Sequence, residues 1–107
     1  MLESTVWRQY HDENNFRELL SPLCNISVID MIEDDKNLYN VIKSKLTKKE
    51  LKLLAMDLAH VESKTLQEEF GYNEEELEKA KFKLYKKLKQ DKFRLALRAG
   101  SHDFEQM

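Results

Sequence analysis

Residues that break or cross-link a chain are scarce in this sequence, whose 107 residues include two glycines, one proline and one cysteine. A single cysteine, Cys24, excludes an internal disulfide, and its apolar surroundings predict a buried structural thiol. Few glycines and prolines leave little material for hairpin turns, whereas the abundant lysine and glutamate favour helix. We therefore expect an all-α protein, and the length predicts a single domain over residues 1–107.

Long apolar runs are also missing. No segment approaches the roughly 20 apolar residues that a membrane-spanning helix needs. Residues 1–15 are too polar for the apolar core of a secretory signal. The sequence therefore predicts a soluble, cytoplasmic protein with no membrane partner.

Motifs that carry chemistry are absent as well. The histidines (His11, His60 and His102) and Cys24 lack the spacing of a metal site, and two isolated glycines cannot form a nucleotide-binding loop. No Ser-His-Asp or Cys-His set can be argued from spacing. Residues 27–35, SVIDMIEDD, resemble the first strand and acidic pair of a response-regulator receiver, but a helical chain offers no sheet to support one. We expect no enzyme activity, no metal and no cofactor.

Charge is unevenly distributed along the chain, although the net charge is only −2. Residues 62–78 contain seven acidic residues and one basic residue, whereas residues 79–98 contain nine basic residues and one acidic residue. Glutamates at the start of a helix and lysines further along suit the helix dipole, and Glu75 and Lys79 are spaced for an i,i+4 ion pair. The pattern predicts one helix that is acidic at its start and basic along its length.

The first 45 residues form an N-terminal helical segment in our interpretation. Apolar spacing predicts a helix over residues 4–20, with Ser4 as its cap and with Ser21-Pro22 as its end. A second apolar set runs from Ile26 to about residue 44 and is interrupted by acidic residues 33–35, so it is one long helix or two short ones. Large apolar side chains here (Trp7, Tyr10, Phe16, Ile26, Ile29 and Ile32) are candidates to cover the rest of the core or to form a dimer.

The starts and ends of helices are easier to locate in residues 46–98. Thr47 and Glu50 form a capping box for a helix that ends near His60. A short helix over residues 63–70 turns Leu66 and Phe70 inward and stops at Gly71. Asn73 then caps a last helix that runs to residue 98, again with glutamate three residues on, and Gly100 ends it. Its predicted inner stripe is Leu77, Ala80, Leu84, Leu88 and Leu95. Its predicted outer face carries Lys79, Lys83, Lys86 and Arg94, and residues 99–107 are a tail.

The segment from Leu46 to Leu88 resembles the helix-turn-helix of LuxR-type regulators and of the fourth region of bacterial sigma factors. The shared features are the Leu-Thr-x-x-Glu start, the glycine that closes the second helix, the polar cap two residues later and the apolar spacing of the last helix. They correspond here to Leu46, Thr47, Glu50, Leu53, Leu54, Leu66, Phe70, Gly71, Tyr72, Asn73, Leu77, Ala80, Leu84, Tyr85 and Leu88. Two positions depart from the family pattern, because Gln67 replaces a small alanine and Glu62 a phosphate-facing serine or threonine.

The resemblance implies a recognition helix that enters the major groove of DNA, and four of the five residues at its reading positions are acidic. These residues are Glu74, Glu75, Glu76, Glu78 and Lys79. One glutamate can accept a hydrogen bond from cytosine N4, but four bring negative charge towards phosphates. Basic residues on all three helices could compensate. The candidate DNA-binding residues are therefore Lys48, Lys49, Lys64, Glu75, Lys79, Lys83 and Lys86.

Two functions remain open at this point. The leading hypothesis is a small transcription-associated regulator that binds double-stranded DNA through residues 46–94. The alternative is a protein-interaction module on the same scaffold, whose acidic turn docks on a partner such as RNA polymerase or another regulator. The aromatic residues Phe82, Tyr85 and Phe93 are expected in the core or in an interface. The resemblance also implies a homodimer.

Overall fold

The computed structural model describes residues 5–11 and 15–99, and the regular structure of these residues is helical. An isolated antiparallel bridge between Met31 and Arg98 is the one exception within them. The all-α prediction is confirmed. In chain order the elements are α1 (Val6–Tyr10), α2 (Phe16–Cys24), a 3-10 turn (Val28–Asp30), α3 (Asp35–Lys45), α4 (Lys48–Leu58), α5 (Ser63–Phe70), α6 (Glu74–Leu88) and α7 (Asp91–Leu97).

The prediction of one helix over residues 4–20 is wrong, because α1 and α2 are separate helices and α1 is capped by Thr5. Pro22 does not end α2, which continues to Cys24. The exposed proline ring faces solvent, while the extra turn buries Cys24 one turn beyond the buried Leu20. Asn25, in a left-handed conformation with φ of 55°, then ends the helix.

The second apolar set contains one short 3-10 turn and one α-helix. The acidic residues 33–35 do not interrupt a helix but start one, since the Asp34 side chain accepts a hydrogen bond from the Lys36 N–H and caps α3. Ile29 is 87% exposed and does not join the core. Within the 3-10 turn it points outward, whereas Ile26, Met31 and Ile32 on either side are buried.

The predicted caps of the C-terminal half are confirmed. Thr47 and Glu50 exchange hydrogen bonds of 2.9 and 3.1 Å at the start of α4, and Asn73 and Glu76 exchange bonds of 2.9 and 2.8 Å at the start of α6. Gly71 has a φ of 68° and ends α5, as predicted. Helices α4, α5 and α6 each contact the other two, so the three pack together as one unit.

The single long helix predicted over residues 73–98 is wrong. The chain leaves helical geometry at Gln90, whose ψ is 142°, and resumes as α7. A continuous helix would have carried Leu95 on the inner stripe of α6, yet Leu95 is 50% exposed and Phe93 and Leu97 are buried. The break allows α7 to turn and pack these two side chains against α3. Ala99, the first residue of the predicted tail, is described, whereas Gly100 and the rest of the tail lie outside the described residues.

Contacts between distant elements close the molecule around one core. Helix α1 packs on α4, and α7 packs on α3. The Ile32 N–H donates to the Leu97 carbonyl and the Ala99 N–H to the Asp30 carbonyl, each at 2.8 Å. Arg17 of α2 pairs with Asp35 at 2.7 Å. No helix in the described part of the chain is long and apolar enough to cross a membrane.

Candidate interaction surface on α6

Helix α6 separates an inner stripe from an outer one. Leu77, Leu84 and Leu88 are buried and fix which side of the helix faces the core. At 3.6 residues per turn, the opposite side is the exposed row that begins at Glu75. We call this row, with its flanking residues, the outer surface of α6, and its members are Glu75, Glu78, Lys79, Phe82, Lys83, Lys86 and Lys89, all exposed.

An aromatic side chain occupies the middle of the outer surface of α6. Phe82 is 68% exposed, and the Lys86 ammonium lies 6.0 Å from the centre of its ring. Shallow depressions flank the ring on both sides. One is lined by Glu78, Lys81, Tyr85, Lys86 and Lys89, and the other by Glu75, Glu78, Lys79 and Lys83.

Charges on this surface are ordered along the helix, with carboxylates before Phe82 and ammonium groups after it, apart from Lys79. Lys79 is tied to Glu75 by an i,i+4 pair at 3.6 Å, which confirms the predicted ion pair. Glu78, Lys83 and Lys89 make no ion pair with another described residue. An acidic half and a basic half therefore meet at an apolar centre.

Other lysines of α6 are occupied by α4 and are structural. Lys81 pairs with Asp57 at 3.0 Å, and Lys87 pairs with Glu50 at 3.1 Å. Because Asp57 and Glu50 lie two turns apart on α4, the two ion pairs fix α6 across it. These pairs offset two of the helix's positive charges within the protein.

Tyr85 adds a further contact between α6 and α4. Its half-buried phenol donates a hydrogen bond to the Asp57 carboxylate, and burial together with this carboxylate raises the pKa of Tyr85. Burial of Glu50 favours its neutral form, but hydrogen bonds from the Thr47 N–H and from Lys87 outweigh burial and hold its pKa below the ordinary value. Glu50 thus both caps α4 and anchors α6.

The remaining predicted DNA-binding residues lie at the starts of two other helices. Lys49 of α4 places its ammonium 4.4 Å from the centre of the Tyr72 ring, just before the Asn73 cap, so it borders the start of α6. Lys48 and Lys64 are exposed, and no contact among the described residues joins either of them to the lysines of α6. Of the seven predicted DNA-binding residues, four therefore lie together on α6 and Lys49 lies beside the start of that helix. Lys48 and Lys64 lie apart from this cluster.

Sequence reasoning did not single out Phe82 as exposed or Asp57 as an anchor. Phe82 lies five residues after Leu77 and two before Leu84, a spacing that places it off the inner stripe. That signal could have located Phe82 on the surface. No local signal identifies Asp57, because its partners are 24 and 28 residues away in sequence.

Sites outside α6 offer less chemistry. Cys24 is fully buried, as predicted, and burial raises the pKa of its thiol to about 12. His11 stacks on Trp7 with ring centres 3.8 Å apart, and its Nε2 lies 2.9 Å from the Ala55 carbonyl oxygen. No group of three or more potential metal ligands occurs within the ranges that the structure describes.

The chain has no significant match to a protein-family model, to a curated protein or to a solved structure. The resemblance to LuxR-type regulators and sigma factors thus remains a prediction from residues 46–88.

Proposed function

We propose that this protein is an interaction module built on a helix-turn-helix scaffold, and that it docks on a protein partner through the outer surface of α6. The observation that carries this proposal is Phe82, exposed at the centre of that surface and bordered by carboxylates and ammonium groups. An apolar centre with a charged rim is the usual anatomy of a protein–protein interface. Fully burying a phenylalanine side chain is worth roughly 1.5–3 kcal/mol, so Phe82 would contribute substantially to docking.

The charges of α6 argue against duplex DNA as the ligand of this helix. Glu74, Glu75 and Glu78 are exposed in its first turns, where a recognition helix meets base edges and phosphates. Affinity for DNA depends on neutralising phosphates, and these carboxylates oppose it. Lys81 and Lys87 cannot compensate without leaving Asp57 and Glu50.

Duplex DNA is the second candidate ligand. Lys48, Lys64 and Lys83 are exposed and have no ion-pair partner among the described residues, so they are available to phosphates. In that case the protein would be a transcription-associated regulator, as the family resemblance implies. The same resemblance makes RNA polymerase or another regulator a reasonable partner for the docking function.

A titration with random-sequence duplex DNA separates these two candidates. We expect no binding by the wild type at about 50 mM salt, where non-specific DNA binding is strong. The double variant Glu75→Lys/Glu78→Lys should gain salt-dependent affinity, because it replaces two repulsive charges. Micromolar binding by the wild type that weakens steeply at about 200 mM salt, and that Lys79→Glu/Lys83→Glu abolishes, would instead establish DNA binding through α6.

Photocrosslinking tests the docking surface directly. A benzophenone amino acid at position 82 should give covalent protein adducts in cells, which mass spectrometry can identify. The same group at Ile29, which is also exposed and apolar, is the matched control and should give none of these adducts. Adducts that a nuclease destroys, or no adducts at position 82, would contradict a protein-docking role for this surface.

A further inference from the structure

We infer that the partner of the outer surface of α6 is a second copy of this chain, paired in antiparallel orientation about a two-fold axis at Phe82. This inference rests on the proposed function, since it names the partner of the same surface. The observation that carries it is the order of charges along α6. When a second copy of the helix is placed in the reverse direction, its basic half lies opposite the acidic half of the first.

The match follows from residue spacing. Glu78 and Lys86 each lie four residues from Phe82, on opposite sides, which is about 6 Å along a helix axis. Glu75 and Lys89 each lie seven residues away, or about 10.5 Å. In an antiparallel pair centred on Phe82, Glu78 of one chain is therefore level with Lys86 of the other, and Glu75 is level with Lys89.

Two-fold symmetry requires each of these charge pairs to occur twice. In an isologous interface, if one residue contacts a second, then the second contacts the first across the axis. The pairs Glu78–Lys86 and Glu75–Lys89 each occur twice, so the interface contains four ion pairs. A parallel arrangement would place glutamate against glutamate and lysine against lysine, which is unfavourable, so the charges also select the orientation.

The shape and the remaining charges fit the same arrangement. The depression lined by Tyr85, Lys86 and Lys89 borders Phe82 and offers an apolar seat to the ring of the second copy. Lys79 is paired with one carboxylate oxygen of Glu75 in its own chain, which leaves the other oxygen for Lys89 of the second copy. Lys83 lies about 100° around the helix from Phe82, on the flank, where its ammonium stays in water. An interface on one 15-residue helix is small, which predicts micromolar pairing.

Sedimentation equilibrium of the purified full chain, from about 1 to about 300 μM, tests this inference. We expect a monomer–dimer equilibrium for the wild type. Phe82→Ala should weaken dimerisation by at least about tenfold, because it removes the central anchor. Ile29→Ala removes a comparably exposed apolar side chain elsewhere and should leave the equilibrium unchanged. Far-UV circular dichroism should confirm that both variants fold.

Charge exchange supplies the decisive comparison. Glu78→Lys and Lys86→Glu should each weaken the dimer by about tenfold, and the double variant should restore it to within about threefold of the wild type. Restoration cannot arise within one helix, since residues eight apart are beyond the reach of i,i+4 pairs. Glu68→Lys and Lys64→Glu, exposed on α5, are the matched controls and should have no effect.

The inference is overturned if the wild type stays monomeric throughout, or if it dimerises without responding to substitutions at 78, 82 and 86. Either result leaves the proposed function standing when position 82 still crosslinks to a different protein. Loss of both the dimer and all protein adducts at position 82 refutes the proposed function as well.

Discussion

At the scale of single residues, the start of α6 depends on Asn73. Its side chain accepts a hydrogen bond from the Glu76 N–H at 2.8 Å, and Glu76 accepts one from the Asn73 N–H at 2.9 Å. We expect Asn73→Ala to lower the free energy of unfolding by about 1 kcal/mol, because the Glu76 N–H at the helix start loses its side-chain acceptor. Urea denaturation followed by circular dichroism measures this change.

Asn40→Ala provides the comparison for that substitution, since Asn40 is exposed within α3 and its side chain makes no hydrogen bond to another described residue. It should be neutral or slightly stabilising, because alanine has the higher helix propensity. Equal losses in both variants would mean that the capping box contributes no stability.

Residues whose roles depend on near neighbours could be predicted from the sequence. The two capping boxes and the left-handed Gly71 each involve partners within three or four positions, and all were predicted. Pro22 and Ile29 were misjudged because their roles depend on distant packing. The exposed side of α2 tolerates a proline, and the buried neighbours of Ile29 leave it no place in the core.

At the scale of helices, the break between α6 and α7 is the feature that the sequence pattern concealed. Leu77, Leu84, Leu88 and Leu95 lie at successive intervals of seven, four and seven residues, which favours one continuous helix. The spacing is misleading, because the chain turns at Gln90 and packs α7 against α3, with Phe93 and Leu97 buried. The choice depends on where α3 lies, and local periodicity carries no information on that.

Substitutions at positions 93 and 95 distinguish a broken helix from a continuous one. Phe93→Ala should lower the free energy of unfolding by about 3–5 kcal/mol, because it leaves a cavity beneath α7. Leu95→Lys should change it by less than about 0.5 kcal/mol, since the side chain already contacts water. Urea denaturation of the two variants gives both values, and the reverse ranking would restore the single long helix.

The candidate site was predictable in part at this scale. Helical spacing gave the exposed side of α6 and placed Lys79, Lys83 and Lys86 there correctly. It could not separate these lysines from Lys81 and Lys87, since that distinction depends on carboxylates of α4 that the fold brings near. The sequence alone treats all five lysines as equivalent. In the structure Lys81 and Lys87 are paired with carboxylates of α4, and the other three lie on the outer surface of α6.

At the scale of the whole molecule, the sequence predicts one domain, and unfolding can test that prediction. Trp7, the only tryptophan, is buried on α1, which packs against α4 of the C-terminal half. Its fluorescence and the helical circular dichroism should therefore change at the same urea concentration, as in a two-state transition. Separate midpoints would divide the chain into independent units, with residues 1–45 unfolding apart from residues 46–98.

The pairing of Ile32 with Leu97 and of Asp30 with Ala99 affects the order in which a nascent chain can fold. Helix α3 is synthesised before α7, so the surface of α3 that α7 covers stays bare until residues 91–97 have been made. Native closure must wait for the last of these residues. A nascent chain that lacks residues 91–99 therefore leaves this part of the core exposed to aggregation and to proteases.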